Sequence, residues 1–241
     1  MADTGWLDFV TVKAGTGTPV WQNPSNAQSE DGNVTTCTGL YEQMGGWLVA
    51  ENIDGSIQAG STIDGIEVRF KRGSNSAFIS LGSLRLHLNE TPSGDDKDDA
   101  VVWPTTPRTF SSTYGGSTDM WSSGYDYDDV MSADFGVMLR AYGIFGSGIG
   151  QIDVVQIKIY YTPPAVTVEQ EGFRWRNDDG TEISATWIEA QDTNASISKE
   201  TNVRLRVVLD ADGNPAASTF ELQYKRSADG AAEWRKVQVE T

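Results

Sequence analysis

The chain has 241 residues, 38% hydrophobic and 10% aromatic, enough for one large domain or two smaller ones with cores of their own. Its 34 acidic residues against 18 basic ones give a net charge of −16, and so acidic a surface repels phosphate backbones and anionic headgroups, which argues against nucleic acid and membrane partners. The single cysteine, Cys37, excludes an intrachain disulfide and an all-cysteine metal site.

The start, Met-Ala-Asp-Thr-Gly-Trp, has no basic or apolar leader region, and no apolar run reaches membrane-spanning length, so the expectation is a chain made in a cytoplasm without a signal peptide. Leu7 to Val12 partly alternates and reads as a first strand. Trp21 to Gly32 then joins one large apolar anchor to a run of turn residues, in which Asn-Pro and Asp-Gly redirect the chain. The Trp is expected in a core and the segment behind it on the surface. Val34 to Tyr41 is a second strand, and Gly46 to Ala50 a third, short and buried on both faces.

Two strands are strongly patterned. In Ile63 to Lys71, Ile66, Val68 and Phe70 share one face and Glu67, Arg69 and Lys71 the other. In Ala77 to Asn89, Leu84, Leu86 and Leu88 oppose Ser83, Arg85 and His87, which places His87 on the polar face. Glu90 to Ala100 is an acidic excursion expected to be an exposed loop, and Phe135 to Tyr142 and Ile152 to Tyr161 complete the first part across a Gly143 to Gly150 connection. No run of ten or more residues shows apolar spacing of three and four, so the fold class is all-β.

Thr162-Pro163-Pro164 must leave its sheet, because Pro has no N–H for a ladder and biases its predecessor toward an extended conformation. This predicts a domain over 1–162, a linker over 163–167 and a second domain over 168–241, the first part carrying 20 acidic and 9 basic residues and residues 163–241 carrying 14 and 9. The second part holds strand candidates at 172–176, 182–190, 202–209, 219–226 and 233–239, punctuated by turns at 177–180, 210–215 and 228–230.

The pattern Trp21-x-Asn23-Pro24-x-Asn26-Ala27-x-x-x-Asp31-Gly32, followed by Ile63 to Val68, Trp103, Trp121 and Phe135-Gly136-Val137, resembles a jelly-roll-like β-sandwich module of tailed-phage virion structural proteins, over residues 5–162. Phe173 to Glu182, Ala185-Thr186-Trp187 and Phe220 to Lys225 resemble a small immunoglobulin-like repeat of phage structural proteins, over 168–239. About 72 residues is short for a seven-stranded immunoglobulin sandwich of ~100, leaving either an open edge or a strand supplied by another subunit. The resemblance implies two tandem β-sandwich domains in a non-enzymatic virion protein, a capsid decoration (cement) protein that contacts capsid or other virion proteins and forms homo-oligomers. The alternative is a carbohydrate-binding module of a tail or fibre that recognises host surface glycan. Met1 to Val20 and Gly143 to Gly150 are the segments expected to order on binding a neighbour.

Candidate chemistry is sparse. A nucleophilic triad or dyad would have to pass through His87, with Cys37 the only thiol. The phosphate-loop reading of the glycine run fails because a strand follows it and no Gly-Lys-Ser/Thr closes it. Asp210-x-Asp212-Gly-Asn214 reads as a turn, since Pro215 stands where a calcium loop needs Gly. Asp95, Asp96, Asp98 and Asp99, and Asp126 with Asp128, are hard oxygen donors on loops and the candidate Ca2+ ligands, against the plainer reading as solvated acids. Trp103 and Trp121 are expected in the core, while Tyr125 and Tyr127 are expected exposed, as a glycan platform or interface anchors.

Overall fold

The structure is a computed structural model that describes residues 1–75, 78–105, 108–165, 167–181, 183–212, 221–224 and 235–236. The chain divides into two compact units, Met1–Pro164 and Ala165–Thr241. Its described elements are strands apart from one helical turn and a 3₁₀ turn, so the protein is all-β as the patterning predicts.

The first unit runs β1 (Ala2–Asp3), β2 (Leu7–Ala14), β3 (Trp21–Gln22), β4 (Thr35–Leu40), β5 (Leu48–Ile53), β6 (Thr62–Ser74), β7 (Ile79–Leu88), β8 (Thr91–Ser93), β9 (Thr109–Phe110), β10 (Tyr114–Gly115), α1 (Tyr127–Val130), β11 (Phe135–Gly143) and β12 (Gly148–Thr162). One antiparallel sheet is built on β6 and β12, and β4, β9, β10 and the short β1 attach to it. A second runs β2-β5-β11-β7-β8. The two are joined through β2, whose Leu7 and Asp8 pair with Ile157 and Gln156 of β12 while Phe9 to Ala14 pair along β5. The inner faces meet in one apolar cluster that includes Phe9, Trp21, Phe70, Leu84, Trp103, Trp121, Phe135 and Ile157.

Period-two alternation explains this core: in β6, Ile66, Val68 and Phe70 are fully buried, and Trp103 and Trp121 are buried as expected. Trp21 is buried too, its indole N–H donating to the Gly46 carbonyl at 2.9 Å. Behind it, Asn23 takes a positive φ of 52° into the 3₁₀ turn Pro24–Ala27, and Ala27 returns into the core. The far end of this wrap is tied down where the Gly32 N–H donates to the Asp153 carboxylate at 3.0 Å, itself buried and 3.1 Å from Lys71.

Three expectations are corrected here. The N-terminal segment is no free arm, because β1 pairs with β12 and β2 bridges both sheets; removing residues 1–10 would take out half of that bridge. The glycine connection is shorter than expected, since Gly143 ends β11 and Gly148 opens β12. His87 is not on a solvated face but fully buried. Its neighbour across the ladder is Gly136, which has no side chain, so the imidazole reaches over to the Ala50 carbonyl at 3.3 Å. A Cβ at Gly136 would lie 1.9 Å from that same carbonyl oxygen.

In the second unit, β13 (Thr167–Asn177) and β14 (Val203–Asp212) pair antiparallel with a bulge between Gln170 and Gly172, and β15 (Gln223–Tyr224) pairs with β16 (Arg235–Lys236). The expected linker therefore ends inside β13. One face of the β13–β14 ladder opposes Arg174 to Arg206 and Arg176 to Arg204; the other opposes Phe173 to Val207 and Trp175 to Leu205. Trp187 sits with its ring 4.2 Å from the Arg174 guanidinium and 4.5 Å from that of Arg176. The strand expected at 182–190 is replaced, among the described residues 183–190, by turns and a single bridge from Trp187 to Arg176. Local bonds win: the Asp179 carboxylate takes the Thr186 N–H at 2.9 Å, and the Thr181 carbonyl takes those of Ser184 and Ala185. Of the strand candidates 219–226 and 233–239 only 221–224 and 235–236 are among the described residues; of the expected 210–215 turn, 210–212 are described and continue β14 instead, while the 228–230 turn lies outside them.

Candidate functional site

The Met120–Val130 stretch is shaped by its own polar groups. The Trp121 indole N–H donates to the Ile66 carbonyl at 2.9 Å, which ties the loop to β6. Asp126 then caps α1: its carboxylate accepts the Asp129 N–H at 3.1 Å, while the Asp126 N–H donates to the Asp129 carboxylate at 3.3 Å. Val130 anchors the turn in the core. A stretch that reads as an acidic loop is therefore a capped helical turn, and both acids of the capping box are engaged in it.

This turn stands against the segment 59–63, and between them lies a cleft of about 540 Å³ lined by Ser61, Thr62, Tyr125, Asp126, Tyr127 and Asp128, among others. The two tyrosines expected to be exposed are half-buried. Tyr125 packs edge-on to Phe135, with ring centroids 5.4 Å apart and planes at 84°, and burial pushes its phenol pKa up. Tyr127 donates its hydroxyl to the Ile57 carbonyl at 3.3 Å. Each gives one part of its ring to the fold and one to the cleft. The cleft is thus an amphipathic wall of two held rings, with the carboxylates of Asp126 and Asp128 and the hydroxyls of Ser61 and Thr62 as polar groups.

The other acidic run disperses. Asp96 accepts from Ser83 Oγ at 2.8 Å, the Leu84 N–H at 2.9 Å and Arg85 Nε at 3.2 Å. Asp95 accepts from Ser122 Oγ at 3.1 Å, and Asp99 from the Tyr114 hydroxyl at 2.5 Å with Arg72 3.5 Å away. Asp98 is exposed and lines a different cleft. The structure brings Asp126 and Asp128 to one place and draws Asp95 and Asp96 away from Asp98 and Asp99, which line a different cleft together. Among the described residues, no three His, Cys, Asp or Glu side chains gather as a metal cage.

The groups a nucleophilic mechanism would need are enclosed. Cys37 is buried, its Sγ 3.3 Å from the Pro19 carbonyl, and burial pushes its thiol up to about 11. Burial lowers the pKa of His87, against the pull of Glu51 and Glu90, so the ring is held neutral. Lys13 bridges those two carboxylates at 2.8 and 2.7 Å.

The sequence reading missed Ser61 and Thr62, for which no motif exists, and the buried Arg72–Tyr114–Asp99 cluster. For Arg72 a signal did exist: it continues the parity of Ile66, Val68 and Phe70, and it is buried. No protein family, curated protein or solved structure matches the chain.

Proposed function

We propose that this chain is a non-enzymatic structural protein of a virion, a capsid decoration protein that works through protein–protein contacts and self-association. The observation that carries this reading is apolar surface left exposed on a chain of net charge −16: Tyr41, Met44 and Phe145 in the first unit, and Ile183 with the run Val207, Val208 and Leu209 in the second. Where exposed apolar groups cluster they mark contact faces. The ordered Trp21, Trp103 and Trp121 pattern and the enclosure of His87 and Cys37 support the same reading. Many copies, each weakly held, bind a lattice by avidity. The test is mass spectrometry of density-purified particles from the organism that carries the gene, with rebinding of purified chain to particles lacking it. Stoichiometric recovery and rebinding support the role; absence from the particles rejects it.

A second reading, glycan recognition, is favoured by the cleft of Tyr125, Tyr127, Asp126 and Asp128. Held aromatic edges beside carboxylates and hydroxyls suit a sugar, with apolar ring faces and polar rims. Binding on a glycan array that is lost in Asp128→Asn, an exposed position, would favour it, whereas no retained glycan would remove it.

A further inference from the structure

A second cleft, of about 420 Å³, opens at the other end of the β7–β11 ladder. Tyr125 packs on Phe135, which pairs with Leu88, whereas this cleft is bounded by Tyr142, which pairs with Ser80. We propose that it is a docking site for a partner protein, receiving an apolar side chain flanked by a lysine or arginine.

Its walls supply both halves of that chemistry. Met44, Leu81, Tyr142 and Ile144 give the apolar part, and Asp98 and Asp99 the anionic edge. Met44 is fixed by a backbone bridge to Tyr142 and by the adjacent Gly45 N–H donating to the Ala141 carbonyl at 2.8 Å, yet it is 44% exposed. Gly82 keeps the floor clear: a Cβ there would lie 3.0 Å from that of Tyr142 and 3.5 Å from Met44 Cγ.

The carboxylate edge is preorganised. Asp99 is held from behind by the Tyr114 hydroxyl and by the buried guanidinium of Arg72, which lies over the rings of Phe70 and Trp103 at 5.6 and 6.0 Å. Its position is therefore set by the core, and Asp98 beside it is exposed. With Asp99 partly balanced by Arg72, the exposed Asp98 carboxylate at the lip of an apolar hole favours a cation there and repels an anion. The occupant is a protein side chain rather than a free small molecule because further exposed apolar residues adjoin the lining along the chain. Val101 and Val102 follow the lining residue Ala100, Phe145 follows Ile144, and all three are exposed. This site stands apart from the Tyr125 cleft; it shares the exposed Met44 and Phe145 with the proposed contact surface of the first unit, but its ligand chemistry does not depend on a virion role.

The test is NMR of the full chain with labelled Met and Ile methyl groups, titrated with acetyl-Gly-Lys-Trp-Gly-amide, with its Glu counterpart, and with tryptamine. The lysine peptide should shift the Met44 and Ile144 methyls saturably, and the glutamate peptide should bind about fivefold more weakly, the scale of an exposed ion pair. Asp98→Asn should narrow that ratio, and Met44→Ser should weaken both peptides with the Ile144 methyl still reporting. Equal binding of the two peptides, no saturable shift, or tighter binding of tryptamine than of the lysine peptide would each overturn the proposal, the last by assigning the cleft to a free arylalkylamine.

Discussion

The two units use the same residue types to different ends. In the first, the alternating apolar residues of β6 and β12 face a second sheet and vanish from the surface: Ile66, Val68, Val155 and Ile157 are all fully buried. In the second, Val207, Val208 and Leu209 of β14 are 37%, 43% and 44% exposed, and Ile183 is 96% exposed. β-propensity made a strand in both places; in the first unit a facing sheet turned its apolar residues into core, while among the described residues of the second they stay partly exposed. A two-stranded ladder gains little by itself, since stability comes from packing its apolar face.

The largest effect should come from the first unit's tryptophans. Trp121→Ala removes a fully buried ring and its bond to Ile66, and should cost about 3–5 kcal/mol in urea denaturation. Native amide signals of the second unit should survive in that variant; their joint loss would show that the two units unfold as one.

Next is Gly136→Ala, whose added Cβ meets the Ala50 carbonyl, at a cost of roughly 1–3 kcal/mol from overpacking. A neutral result would mean that β5 and β11 can shift apart, which a tightly layered unit should resist.

His87 gives a smaller, pH-dependent effect. Its pKa is lowered in the folded chain, so the unfolded chain binds a proton first. The contribution of the neutral ring is therefore complete above the unfolded pKa of about 6.5 and declines as pH falls below it. Thermal midpoints between pH 8 and 5.5 should fall for the native chain and flatten in His87→Leu. The carboxylates whose pKa values are lowered act in a different window: Glu90, bonded to Lys13, and Glu67, where Lys158 and Tyr160 outweigh the upward push of burial, lose their contributions only below about pH 4–5. An unchanged slope in the variant would mean that His87 does not carry the acid sensitivity between pH 8 and 5.5.

The smallest effect is expected in the second unit, where Val208→Ser should change stability by no more than about 0.5 kcal/mol in the isolated chain. A loss well above that would mean that β14 is covered in solution. Cys37 supplies a control for the first unit: with its thiol raised to about 11, disulfide reagents at pH 8 should modify it only at the rate of unfolding.

Much of the first unit was legible because its signal is local. Alternation in Ile66, Val68 and Phe70 needs only neighbouring residues to be read, and Trp21, Trp103 and Trp121 went where large apolar groups go. Half of the Tyr125 cleft was legible as well, since Tyr125, Asp126, Tyr127 and Asp128 are consecutive. Its other wall, Ser61 and Thr62, arrives from more than sixty residues earlier.

By itself the sequence determined the strand class and the membership of the main core, because those follow from periodicity and hydrophobicity along the chain. Only the tertiary structure decided the rest. Asp96 met Ser83, Leu84 and Arg85 and not its acidic neighbours; His87 was enclosed because Gly136 lay opposite; Asp99 was fixed by Tyr114 and Arg72, themselves 42 residues apart. In each case a charged or polar group found its partner through strand register, and register is set by long-range pairing that no local pattern records.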